Sequence, residues 1–216
     1  MKPLTLQKTN LAEQAYGVIH AMLLAGEDVQ PGDKISVEDL ARRLGVSRSP
    51  VWAAIARLEA EGIIEVRPRQ GVFFLGFNPQ RLMEIFAVRE ELEGAAARLA
   101  AQRVTPAALA GLRQSVERQR ASITPDSQEV YAAEATRFHQ LLADLSGNAT
   151  MAGMIERLWA QTQAMCIRPD VKNAILDKRT DEHARIVEAI ARGDGAAAEA
   201  ETRRHIRRIA DEIRNL

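Results

Sequence analysis

The stretch from Ser36 to Leu75 constrains this chain most. Two helical patterns separated by a glycine are followed there by a second glycine and two β-branched runs. Ser36, with Asp39 three residues on, reads as the N-terminal cap of a helix over Val37–Leu44, and Gly45 as its left-handed stop. Ser47 opens a second helix that runs to about Glu61 and ends at Gly62. Its Pro50 falls in the first turn, where a missing N–H costs nothing. The periodicity then changes. Ile63–Arg67 and Val72–Leu75 flank the turn Arg69-Gln70-Gly71, which is the pattern of a β-hairpin. Upstream, Leu11, Ala15, Val18, Ile19, Met22 and Leu23 fall at helical spacing, and Pro31-Gly32-Asp33-Lys34 reads as a turn. Three helices and a hairpin in this order make a winged helix-turn-helix.

The physics of that unit points to double-stranded DNA. A helix held across its predecessor projects its N-terminal residues into a major groove. Val51, Ala54, Ile55 and Leu58 form the inward face of the second helix, which leaves Ser47, Arg48, Ser49 and Trp52 at its exposed start. Arg48 suits a bidentate contact to guanine, and Ser47 and Ser49 suit phosphates or bases. The helix N-terminus itself favours a phosphate. Arg67, Arg69 and Gly71 belong to the wing. Plain helix–helix packing can also produce helix–turn–helix spacing, but it does not require a basic wing after the second helix.

From Arg81 onward the chain reads as helix throughout. Candidate helices span 80–103, 106–122, 127–146, 150–167, 172–192 and 195–214, broken at Thr105-Pro106, Thr124-Pro125, Gly147-Asn148, Pro169 and Gly193-Asp194-Gly195. The expected fold is mainly α: a winged helix-turn-helix domain over 1–77, then an all-α bundle of six or seven helices over 78–216. With 46% hydrophobic and 27% charged residues, the composition is globular rather than disordered. Formal net charge is zero, so a basic DNA footprint has to be local. The single cysteine, Cys166, cannot form an internal disulfide and reads as a small apolar helix residue. No run of about 20 apolar residues is present, so no membrane partner is expected. The start lacks an apolar signal core, and a cytoplasmic location is expected.

In the predicted bundle, Arg89 falls inside an apolar stripe with Ile85, Phe86 and Leu92. A guanidinium facing a core is costly unless paired. Its partner is either Glu93, one turn on, or the carboxylate of a ligand. His139, His183 and His205 also keep apolar company on their helices, which fits a shared polar site as well as separate core histidines.

The segments Leu44-Gly45-Val46-Ser47-Arg48-Ser49-Pro50-Val51, Arg57-Leu58-Glu59-Ala60-Glu61-Gly62 and Arg67-Pro68-Arg69-Gln70-Gly71 resemble the GntR superfamily winged helix. Residues 80–214 resemble the FCD ligand-binding domain of that superfamily's FadR-type branch. Arg89 with Glu93, Phe138-His139, Ser146-Gly147-Asn148, Glu182-His183 and His205 carry this second resemblance. The family pattern departs at three reading positions. Arg is usual where this chain has Trp52, Glu usually follows it, and Arg or Gln is frequent at the position of Ala56. Trp52 therefore meets either a thymine methyl or the wing.

The resemblance implies a dimer that binds an inverted-repeat operator and responds to a small carboxylate metabolite. It also implies a divalent metal held by His139, His183 and His205, with Arg89 on the effector. The family's fourth ligand, an Asp, is replaced by Ala135, and Glu134 points about 100° away around the helix. Three imidazoles suit zinc or nickel better than magnesium or manganese. Two other functions compete: a constitutive dimeric DNA-binding protein whose helical domain is structural, and a metal-dependent hydrolase. Against the enzyme, no HExxH and no nucleophile elbow is present.

Overall fold

The computed structural model describes residues 11–25, 28–76, 78–124, 128–165 and 173–214. Expectations on Pro125, Cys166, Pro169 and the segment before Leu11 lie outside the described residues. The chain divides into two compact units. One comprises Met1–Asn78 together with Gln163–Ile167, and the other Pro79–Thr162 together with Arg168–Leu216.

The first unit is a winged helix-turn-helix. Its elements are α1 (Leu11–Ala25), β1 (Lys34–Ile35), α2 (Val37–Leu44), α3 (Arg48–Ala60), β2 (Ile64–Arg67) and β3 (Gly71–Phe74). The Ser36 side chain accepts from the Asp39 N–H at 3.1 Å, and Gly45 closes α2 with φ of 66°. Ser47 caps α3 with an extended backbone and without a side-chain bond. Ile19 and Leu23 of α1, Val51, Ile55 and Leu58 of α3, and Val72 and Phe74 of β3 are buried. The predicted hairpin pairs Val66 with Val72 and Arg67 with Gly71. It is joined by a strand that the sequence did not announce: β1 pairs with β3, giving the antiparallel order β1-β3-β2. Two residues carry no periodicity, so β1 exists only through its partner.

The second unit contains α4 (Pro79–Ala101), α5 (Pro106–Ala121), α6 (Gln128–Leu145), α7 (Ala149–Met165) up to Thr162, α8 (Asn173–Ala191) and α9 (Gly195–Arg214). Its helix starts are sharply specified. Thr105 accepts from the Ala108 N–H at 3.2 Å with Pro106 in the first turn, and Asn148 and Asp194 cap α7 and α9 in the same manner. Alanines 97, 100, 101, 189 and 198 alternate with Leu112, Phe138, Leu142, Ile186 and Ile190 in one buried cluster. These small residues let the helices approach closely around the polar side chains that the bundle encloses.

Candidate functional site

Two regions carry the residues singled out above. On the winged helix, Ser47, Arg48 and Ser49 are exposed at the start of α3. Arg48 Nη2 pairs with Glu38 Oε1 at 2.8 Å, with both side chains about two-thirds exposed. Trp52 is 45% exposed and shares a groove with Lys34, Glu38, Arg48, Gly71 and Val72. The Arg67 guanidinium bonds Glu65 at 2.8 Å and stacks 4.4 Å from the Phe73 ring centroid. Arg69, at the exposed tip of the wing, adopts a left-handed φ of 63°, a strain of roughly 1–2 kcal/mol for a residue with a Cβ. Gly71 has φ of 122°, and a Cβ there would come within 2.5 Å of the Lys34 side chain.

The other end of α3 is anchored on α1. Tyr16 donates to Glu61 at 2.9 Å, and Arg57 bonds Glu61 at 3.2 Å while stacking 3.7 Å above the Tyr16 ring. Burial raises the Glu61 carboxyl, against the hydrogen bonds from Tyr16 and Arg57. Clamping this end leaves the N-terminal turn of α3 as the presented one.

Inside the bundle, Arg89, His139, His183 and His205 come together, each only 1% exposed. One ring nitrogen from each histidine lies within 4.8 Å of the other two. Arg89 sits on α4, His139 on α6, His183 on α8 and His205 on α9. His183 Nε2 and His205 Nε2 are 3.0 Å apart. Two imidazoles bound tetrahedrally to zinc at about 2.0–2.1 Å present nitrogens roughly 3.3 Å apart, so the spacing is close to that of a ligand pair.

The Nδ1 atoms face outward to acceptors. His205 Nδ1 meets Glu182 Oε2 at 2.8 Å, and His183 Nδ1 meets Gln119 Oε1 at 2.6 Å. His139 Nδ1 lies 2.6 Å from Glu93 Oε2, close but poorly aligned for a hydrogen bond. A proton on each Nδ1 leaves each Nε2 with its lone pair. In that tautomeric state two lone pairs face each other at 3.0 Å, a conflict that a cation between them relieves, and the convergent nitrogens of three imidazoles fit a divalent transition metal. His139, His183 and His205 would hold it, with the fourth position open to water or an effector oxygen.

Burial disfavours the charged form of two of these rings, His183 and His205. Burial, reinforced by the neighbouring rings, pushes His183 well below 6.5. Burial also takes His205 down to about 4 against the opposing pull of Glu182. Burial would raise the carboxyls of Glu93 and Glu182. Arg89 and His139 overcome this at Glu93, as His205 and Arg208 do at Glu182, and each carboxyl is held at about 2.

Of the two partners that the sequence left as alternatives, Arg89 has Glu93. Its Nε donates to Glu93 at 2.7 Å, its Nη1 donates to Thr162 Oγ1 at 3.2 Å, and the guanidinium stacks 3.7 Å from the Trp159 ring. Its Nη2 is buried without a hydrogen-bond partner among the described residues. Glu93 also accepts from Trp159 Nε1 at 3.1 Å, so one carboxylate ties the arginine to the His139 ring. Ala135 is buried beside Tyr131 and Leu176, and Glu134 is engaged by Arg118 at 2.9 Å. Neither replaces the missing carboxylate ligand.

Sequence reasoning gave no role to Gln119, Glu182, Trp159 or Thr162. Gln119 had a readable signal, a lone amide one turn from Val116 and two from Leu112 on an apolar face. Trp159 and Thr162 had none, because only the packing of α7 against α4 brings them to Arg89.

A winged helix followed by an all-helical bundle of this kind defines a DNA-binding transcription regulator. Residues 84–208, more than half of the chain, match the FCD domain, and residues 11–74 match the bacterial regulatory proteins of the gntR family. The chain belongs to the GntR family of transcription regulators and carries an FCD domain. It is 26% identical to the HTH-type transcriptional repressor RspR of Escherichia coli, over 87% of this chain and 82% of that one. It is 28% identical to the HTH-type transcriptional regulator LutR of Bacillus subtilis, over 88% and 95% respectively. Among solved structures, E. coli McbR/YncC matches with a TM-score of 0.71 and 24% identity, covering 95% of this chain and 97% of that one. Lar, which controls the expression of the Listeria monocytogenes agr system, matches at 0.73 and 20%, covering 99% and 100%. At these identities the two structures speak to the fold alone. Among the described residues, no helix is long and apolar enough to cross a membrane.

Proposed function

We propose that this regulator binds an inverted-repeat operator as a homodimer in the cytoplasm, and that a small carboxylate in the bundle controls its operator affinity. The observation that carries this reading is the enclosed combination of three convergent histidines and an arginine with one unsatisfied N–H group. Such a set invites a cation and an anion together. His139, His183 and His205 would hold zinc or nickel, and the metal would supply a Lewis acid for an effector oxygen. Arg89 takes the carboxylate through Nη2, with Glu93 and Trp159 fixing the guanidinium. A ligand that prefers one arrangement of the protein shifts operator affinity by that preference and no more.

In this reading Arg48 leaves Glu38 for guanine, Ser47 and Ser49 bond the backbone or bases, and Trp52 covers a thymine methyl. Arg67, Arg69 and the close-approaching Gly71 bring the wing to the minor groove or phosphates. No catalytic role is assigned. The three rings converge as ligands would, and the relatives are transcription regulators.

Selection from a random duplex pool tests the operator claim. An inverted repeat should emerge and be bound at least about 10³-fold more tightly than random duplex at the same salt. Equal affinity for both rejects a specific regulator. Metal analysis of the purified protein should find about one zinc or nickel per chain. That metal should be absent from His183→Ala.

A further inference from the structure

We propose that Gln119 is a positioning residue that lets the buried three-histidine site alternate between a metal-free and a metal-bound hydrogen-bonding state without moving the backbone. This rests on the metal reading given above. The argument turns on one difference between the three rings. His139 and His205 turn Nδ1 toward carboxylates, Glu93 and Glu182, which only accept. Glu182 is held in turn by Arg208 Nε at 2.5 Å. These two rings therefore keep the proton on Nδ1 whatever occupies the centre. His183 alone faces an amide, Gln119 Oε1 at 2.6 Å, with both residues fully enclosed. An amide can accept through oxygen or donate through nitrogen.

As arranged in this structure, Gln119 Oε1 accepts from His183 Nδ1–H. Gln119 Nε2 is buried without a partner among the described residues. His183 Nε2 then aims a bare lone pair at His205 Nε2, 3.0 Å away. That is the metal-ready state. Without a cation it leaves two lone pairs in opposition, but a half-turn of the Gln119 amide removes the conflict. Nε2 then donates to His183 Nδ1, and the ring proton resides on Nε2 and is donated to His205 Nε2. The result is a continuous chain, Gln119 to His183 to His205 to Glu182, each link donating to the next. His183 carries one proton in both states, so the change needs no net charge and no co-reactant. A carboxylate at residue 119 would fix the metal-ready tautomer, and an apolar residue would fix neither.

Two-dimensional 15N–1H spectra of the histidine rings, recorded on the full-length protein with and without zinc, test the proposal. The metal-free protein should show His183 protonated on Nε2, and zinc should move that proton to Nδ1. His205 should stay protonated on Nδ1 throughout. Gln119→Met, which keeps the volume but removes donor and acceptor, should weaken zinc binding about 10–100-fold in competition with a chromophoric chelator. If that variant fails to fold, the wild-type spectra decide alone. Zinc uptake with an unchanged His183 tautomer, or a Gln119→Met affinity within about twofold of wild type, overturns this proposal and leaves the metal reading standing. Wild-type protein that takes up no zinc overturns both.

Discussion

The α3 surface and the bundle interior treat their arginines in opposite ways. Arg48 pairs with Glu38 in solvent, where an ion pair is worth about 1 kcal/mol or less and is easily exchanged for a phosphate or a base. Arg89 pairs with Glu93 where both are nearly inaccessible, and their attraction offsets a desolvation cost of several kcal/mol for each charge. Under the proposed function, a reading surface would have to release its contacts to DNA, whereas a sensing site would have to keep its groups fixed until a ligand completes them. The exposed pair lies on the first turn of α3 and the enclosed one in the bundle interior.

The largest expected effect breaks the buried side. Glu93→Leu should destabilise the protein by about 3–5 kcal/mol in urea unfolding, because it strands the Arg89 charge. Adding Arg89→Met should recover much of that loss. If the single variant loses less than about 1 kcal/mol, the pair is not the enclosed network described.

Acid should also act on the buried side. The His183 and His205 values in the folded protein lie below 6.5, so the unfolded chain takes up protons first as pH falls. Their contribution is complete above about pH 6.5 and is lost progressively toward pH 4. For His205 alone this is on the order of 3 kcal/mol. Glu93 and Glu182, held at about 2, lose theirs in the same direction below about pH 4.5. Urea midpoints of metal-free protein should therefore fall steadily between pH 7 and pH 4, and a flat profile would contradict neutral buried rings.

On the exposed side, Arg48→Ala should cost about 1–3 kcal/mol of operator binding, roughly 10–100-fold, while the urea midpoint barely moves. Glu38→Gln should have the smallest effect, within about 0.5 kcal/mol in stability, with a modest gain in affinity for any duplex as a negative charge leaves the groove.

The two regions also differ in how legible they were. The helix starts and stops were written in Ser36, Gly45, Pro106, Asn148 and Gly193, so α2 to α9 fall close to their expected bounds. Local signals of that kind survive in a single sequence. The strand β1 did not, since Lys34 and Ile35 gain their structure from Val72 and Phe73. In the bundle, the three histidines came from the family resemblance. Of the outward partners of their rings, Gln119 shows in the sequence only as an amide on an apolar face, and Glu182 is an ordinary helix residue until the helices meet. Ala135 carries no ligand atom, which the sequence alone shows, but only the packing shows that Glu134 is committed to Arg118.

The central claim is that the buried site governs the exposed one. Its most direct test is the affinity of wild-type protein for its selected inverted repeat, by fluorescence anisotropy at one salt concentration. The titration is repeated with a metal chelator and with each of a panel of small mono- and dicarboxylates. The account predicts that at least one carboxylate changes operator affinity about 5–150-fold and that the chelator abolishes this response. A carboxylate response that survives complete removal of metal, or an affinity unchanged across the whole panel, would contradict it.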